Sequence, residues 1–427
     1  MSVSYLSPRV YIEEMASDYL DLRDARRQPS AVTPVQLKRK PPIGSVAKTV
    51  TAFIGFTAQA SRRAGIEEST DLLNQAILVN NWTEYTQIFG GFVSGAYLPH
   101  AVYGYFINGG GPCYIISLRT LRDGENRAAE LTIEDFAGDA AERTGLSGLE
   151  AIGDVTLIAC PDIMTGFDGS TEARERVKTL QLMLINHCEL MGFCFALLDC
   201  PPGLTPEEVR NWRIEGMDFD NSYAALYYPW IDVIDPSEDG SALVAIPPCG
   251  HIAGTYARSD ATRGIHKTPA GEALRGVINL EFVLSDSEQD VLNPIGINAL
   301  RYFNDRGIRV WGAKTMSSDP VWRAVRVRRF MSWIEQCIKD GLDWAVTETI
   351  DTSLFAQIER QITEFLTLVW RSGALPGETP EEAFLVRCDE ETNPLEGRQM
   401  GKITAEVKVM MHDATPRSFR VIINTII

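Results

Sequence analysis

Apolar and polar positions change their spacing several times along this chain, and each change marks an element. Near the N-terminus Pro8 precedes RVYIEE, where Val10 and Ile12 fall on one side of an extended strand and Arg9, Tyr11 and Glu13 on the other. Residues 1–15 read as an arm, able to reach roughly 40 Å when extended. Residues 16–45 mix charges with four prolines and read as a linker. A compact region opens with the strand KTVTAFIGFT. It continues through NNWTEYTQIFGGF, a polar start with aromatic anchors and a glycine stop, to YLPHAVYGYFINGGGPCYIISLR, a helix, a glycine turn and a strand. Residues 121–147 are polar and acidic, the pattern of a surface excursion.

From Leu149 strand and helix alternate. DVTLIACPD, GFCFALLDCPPG and SYAALYYPWIDV are apolar strands; TEARERVKTLQLMLINHCEL and TPEEVRNWRIEG between them carry helical spacing. A βαβαβ order of this kind predicts an α/β fold with a mainly parallel sheet. GSALVAIPPCG adds a strand leading into the motif GHIAGTYARSDATRGIHKTPAG, and GVINLEFVLS follows it. A second, smaller α+β unit is predicted from Asn293. It has the strand RGIRVWGAKT and a long helix opening at Asp319 and Pro320, with Ala324, Val327, Met331, Ile334 and Ile338 as its apolar stripe. A second helix ends at Gly373, and the alternating GKITAEVKVMMHD precedes a last strand, RSFRVIINTII. No internal repeat is visible.

Composition narrows the function. Apolar residues make up 45% and charged residues 23% of 427, and the formal net charge is −17. An acidic total disfavours nucleic acid and anionic membrane surfaces as partners, and no apolar run approaches the roughly 18 residues that span a bilayer. The N-terminus lacks the basic leader and apolar core of a signal peptide. None of the eight cysteines forms a CxxC pair, so they read as buried hydrophobes in a reducing cytoplasm.

Candidate chemistry is sparse. Asp199, His251 and Ser259 contain the residue types of a hydrolase triad, but no G-x-S-x-G elbow is present. His251 and His266 have no third ligand at metal spacing, and neither GGFVSG nor NGGG is a phosphate loop. No catalytic, metal or cofactor site is expected. The chain ends are more informative: Val3, Tyr5, Val10 and Ile12 in front, and Phe419, Val421, Ile423 and Ile426 behind, make two β-prone strands with an apolar face. An unpaired strand of this kind aggregates unless another sheet accepts it, and donation to a neighbour is a heterologous contact that propagates. The alternative is that both ends pair within their own chain.

These segments carry a family resemblance. SPRVYIEE, TAFIGFT, W-x-x-Y-x-x-I-FGG, FINGGGPCYIISLR, the GHIAGTYAR motif, VRVRRFMSWIEQCIKDGLDWAV and FLTLVWRSGALPGETPEEAFLVRCDEETNP resemble contractile tail sheath proteins, in order, over most of the chain. Where many of these proteins carry V-F-E-P-N-D after the first C-terminal helix, this chain has VTETIDTSLF, a mark of a divergent branch.

The resemblance implies a subtilisin-like α/β domain plus a smaller α+β C-terminal domain that faces an inner tube, with extended N- and C-terminal β-arms. The expected divisions are 1–15 (arm), 16–45 (linker), 46–148, 149–292 (subtilisin-like), 293–412 (tube-facing) and 413–427 (arm). It further implies stacked, usually six-membered rings that contract to drive the tube through a target envelope, as part of a phage tail or of a released or cell-anchored injection particle assembled in the bacterial cytoplasm. Its partners would be neighbouring copies, an inner tube protein, baseplate and terminator or cap proteins, and in some devices sheath paralogues. A static baseplate or cap component is the second reading. Arg323, Arg326, Arg328 and Arg329 are candidate contacts to an acidic tube, a solvated helix face being the alternative. His251, Arg258, Asp260, Arg263 and Lys267 suit a structural junction between domains or subunits.

Overall fold

The computed structural model describes residues 7–15, 43–44, 49–64, 68–122, 131–217, 219–235, 242–413 and 415–426. Nearly all of the expected linker, and the arm residues Val3 and Tyr5, lie outside these. In chain order the strands are β1 (Arg9–Met15), β2 (Thr51–Thr57), β3 (Ser61–Ala64), β4 (Glu68–Asp71), β5 (Ala76–Val79), β6 (Cys113–Thr120), β7 (Leu157–Ala159), β8 (Phe195–Asp199) and β9 (Ala224–Tyr228). They continue as β10 (Ile231–Ile234), β11 (Leu243–Ile246), β12 (Val277–Leu280), β13 (Ile297–Phe303), β14 (Gly307–Val310), β15 (Phe384–Arg387), β16 (Lys402–Met410) and β17 (Pro416–Asn424). The chain divides into a larger unit, residues 47–330, and a smaller one formed by 1–46 and 331–427.

The larger unit is built on an eight-stranded sheet of order β14-β13-β9-β8-β7-β2-β6-β5. The six central strands run parallel, and β5 and β14 close the edges antiparallel. Parallel strands are covered on both faces, which is why β2, β7, β8 and β9 are buried throughout and mostly apolar rather than alternating. Ile54, Ile116, Ile158, Leu198 and Leu226 pack on one side with Val177, Leu180 and Leu184 of the helix Thr171–Met191. Phe53, Ile115, Leu157, Leu197 and Tyr227 pack on the other with the helices Leu98–Ile107 and Cys249–Arg263. Ser170 caps the Thr171 helix by accepting from the Ala173 N–H, and left-handed Gly192 ends it.

Three expectations need correction. Strand β13 pairs in parallel with β9, so residues 293–330 belong to the α/β unit; the divisions at 148/149 and 292/293 do not separate compact units. The long helix begins at Val325, not at Asp319. Residues before it are drawn into backbone bonds from Thr315 N to Arg323 O and from Val325 N to Ala313 O, which compete with helix formation. Within 121–147, Leu131, Phe136 and Leu146 are core residues, so this stretch is more than a surface excursion.

The smaller unit is an antiparallel sheet of order β1-β17-β16-β15 with the helix Thr352–Arg371, capped by Asp351. Its inner rows alternate cleanly: Val10, Ile423 and Ile403 stand opposite one another, as do Ile12, Val421 and Ala405. The side chain of Asn393 holds the edge of β16, donating to Thr404 O and accepting from Thr404 N.

Candidate functional site

Strand β1 lies antiparallel on β17 over its whole length, from Arg9 opposite Asn424 to Met15 opposite Ser418. Val10 is buried against Ile423, and Ile12, opposite Val421, is half-buried. Phe419, Val421 and Ile423 are fully buried, whereas Ile426 lies past the strand and is 63% exposed. All this pairing is made within one chain, the second of the two arrangements open to such termini. Among the described residues, β1 and β15 each hydrogen-bond on one edge only.

The arginine run does not form one surface. Arg328 is 1% exposed and packed over the rings of Trp322 and Tyr223; Arg329 is 4% exposed and pairs with Asp260 at 2.5 Å. Both belong to the interior of the larger unit and are not available to a tube. Helical spacing turned them inward, each toward aromatic rings whose negative faces receive the guanidinium. Arg323 donates to Pro294 O, and Arg326 is half-buried.

Of the junction residues, His251, Arg258, Asp260 and Arg263 lie on the helix Cys249–Arg263 of the larger unit. The helices Leu98–Ile107 and Cys249–Arg263 cross where a Cβ on Gly250 would stand 2.3 Å from Ala101 O, and one on Gly254 2.3 Å from Tyr105 O. His251 fills the space that Gly104 leaves empty on the facing helix. Arg258 ties the Cys249 helix to two loops, donating to Asn108 O at 2.5 Å and Ala273 O at 2.6 Å. Arg263 pairs with Glu272 at 2.7 Å, while Lys267 is exposed.

Sequence reasoning missed Asn108 and Asp162. Asn108 donates to Gly104 O and Arg275 O and accepts from Arg275 N; its place in FINGGG signals only a turn. Asp162, just past β7, accepts from Phe56 N, Tyr97 N, Leu98 N and Thr165 Oγ1 at 2.6–3.3 Å, joining β2 to the start of the Leu98 helix.

Burial dominates the titration of the buried groups. It pushes Asp162 up to about 6 and Asp199 up to about 7, and holds His251 down to about 3. Asp199 accepts from Cys249 N at 2.9 Å. His251 Nδ1 and Ser259 Oγ are buried without hydrogen bonds, and two turns of one helix, about 12 Å, separate these residues. No hydrogen bond joins the three into a triad. Among the described residues no cluster of His, Cys, Asp and Glu could hold a metal, and no helix is long and apolar enough to cross a membrane.

The family profile of the phage tail sheath protein central domain matches residues 148–316, the heart of the α/β unit. A tail sheath protein of Salmonella phage ViI is 29% identical over 196 residues, 45% of this chain and 30% of the relative. A putative prophage major tail sheath protein of Pseudomonas aeruginosa (strain UCBPP-PA14) is 26% identical over 214 residues, 49% of this chain and 52% of the relative. The contracted helical sheath of the anti-feeding prophage is similar over 90% of this chain and 95% of its own, with a TM-score of 0.67 at 25% identity. These likenesses point to the tail sheath family. The matched stretches span 30% and 52% of these two curated sheath relatives. The chain is also similar to a chain of the anti-feeding prophage baseplate, with a TM-score of 0.65, 25% identity and the same coverage.

Proposed function

We propose that this chain is a subunit of a contractile sheath, stacking in rings of six around an inner tube and shortening to drive that tube through a target envelope. The observation that carries the reading is the likeness, over nine-tenths of the chain, to a sheath in its contracted state. If the larger unit shares the architecture of subtilisin, it does so as a scaffold, since architecture does not carry chemistry.

Strands β1 and β17 supply the connections in this proposal. Each is tied to the rest of the smaller unit mainly through its ladder, and a second copy offers the same ladder, so exchange between copies conserves every backbone bond. Of the four arginines, Arg323 and Arg326 remain as contacts to an acidic tube. Baseplate and terminator proteins cap the ends, sheath paralogues share the lattice in some devices, and assembly takes place in the bacterial cytoplasm before the particle is released or anchored.

The likeness to a baseplate chain supports a second reading, a static end component. Electron microscopy of the purified polymer separates the two. Long striated tubes in two lengths are expected of a sheath; rings or plates alone would overturn the contractile proposal in favour of the cap.

A further inference from the structure

On the face of the four-stranded sheet opposite Val10 and Ile12, one row alternates charge across all four strands. Glu13 of β1 stands opposite Arg420 of β17, Arg420 opposite Glu406 of β16, and Glu406 opposite Arg387 of β15. Arg420 donates to Glu406 through Nε at 3.2 Å and Nη2 at 3.1 Å. Their side chains retain 30% and 10% exposure, so solvent screens this pair less than a surface one. Opposite charges facing each other across strands favour pairing, and like charges disfavour it.

This row singles out one register for β1. A slip of one residue would turn Val10 and Ile12 out of the core. A slip of two keeps the apolar face but sets Tyr11 or Met15 opposite Arg420, and Glu13 opposite Ser418 or Ile422. Apolar alternation alone does not reject that second slip; the charge row does.

We propose that the row is a recognition key. The edge of β17 accepts an extended strand only when an acid stands opposite Arg420, and in an assembly that strand is residues 9–15 of a second copy of this chain. Glu13 is then the residue by which this chain's own strand is admitted: a strand with a cation at this place meets Arg420 head-on and is refused. The choice of a second copy rests on the strand exchange proposed above; the charge requirement applies equally to pairing within one chain.

The test uses full-length protein. Glu13→Arg is expected to raise the concentration needed for polymerisation roughly tenfold, and to lower amide-exchange protection of residues 9–15 in the monomer by a similar factor. Inverting the whole row (Glu13→Arg, Arg420→Glu, Glu406→Arg and Arg387→Glu together) restores both. Differently labelled inverted and unaltered chains, each able to polymerise alone, are expected not to copolymerise. Unchanged polymerisation and protection of Glu13→Arg, or free copolymerisation of the two chains, would overturn the key. A chain lacking residues 2–14 isolates the underlying reading. If it still polymerises, strand exchange fails, and the key is then judged on monomer amide exchange alone, where unchanged protection sinks it.

Discussion

At pH 8 the Asp199 carboxylate must carry charge at a fully buried position, held through Cys249 alone. Burial raises it from the ordinary 3.8 to about 7. The folded chain therefore keeps a proton that the unfolded chain has already released between those values, and stability contributed below pH 4 is lost as pH rises through 7. Asn cannot ionise yet still accepts from Cys249 N. Asp199→Asn should thus unfold at a higher temperature than the unaltered protein at pH 8, the gap closing towards pH 4. Calorimetry across that range checks it, and a gap independent of pH would refute the burial argument. His251 works in the opposite sense: lowered to about 3, it contributes stability above its ordinary 6.5 that is lost as pH falls towards 3. It is common to both proteins and cancels from the comparison. In the sequence Asp199 looked like a triad member because residue type was visible and environment was not.

At the scale of elements, the crossing of the helices Leu98–Ile107 and Cys249–Arg263 depends on backbone approach at Gly250 and Gly254. Gly250→Ala forces a methyl group to within 2.3 Å of Ala101 O, and overpacking of this kind costs about 1–3 kcal/mol. Gly91→Ala, where an added Cβ meets nothing within 4 Å, should cost far less. The urea midpoints of the two variants test this, and equal midpoints would mean the helices separate freely. The motif announced a crowded place through its glycines and charges. It did not announce that Gly250 and Gly254 sit inside a helix, nor that Arg258 reaches Asn108 across 150 residues, because such partners are chosen by the fold.

For the whole molecule, removing residues 2–14 deletes most of β1 but no strand of the eight-stranded sheet. The truncated chain is expected to stay folded by circular dichroism and to form no long polymers in sedimentation. Polymers of normal length would count against strand exchange. What the sequence determined by itself is local: the apolar runs of β2, β7, β8 and β9, the helix Thr171–Met191 and the alternating terminal strands all follow from periodicity that neighbouring residues enforce. Only the tertiary structure decided which strands are neighbours. It placed β13 beside β9 and so moved the division from 293 to 330. It turned Arg328 and Arg329 inward, against aromatic rings and Asp260, because a helix face takes its environment from distant segments that its own spacing cannot name. It also aligned Glu13, Arg420, Glu406 and Arg387 in one row, since β1 takes its register from strands at the opposite end of the chain.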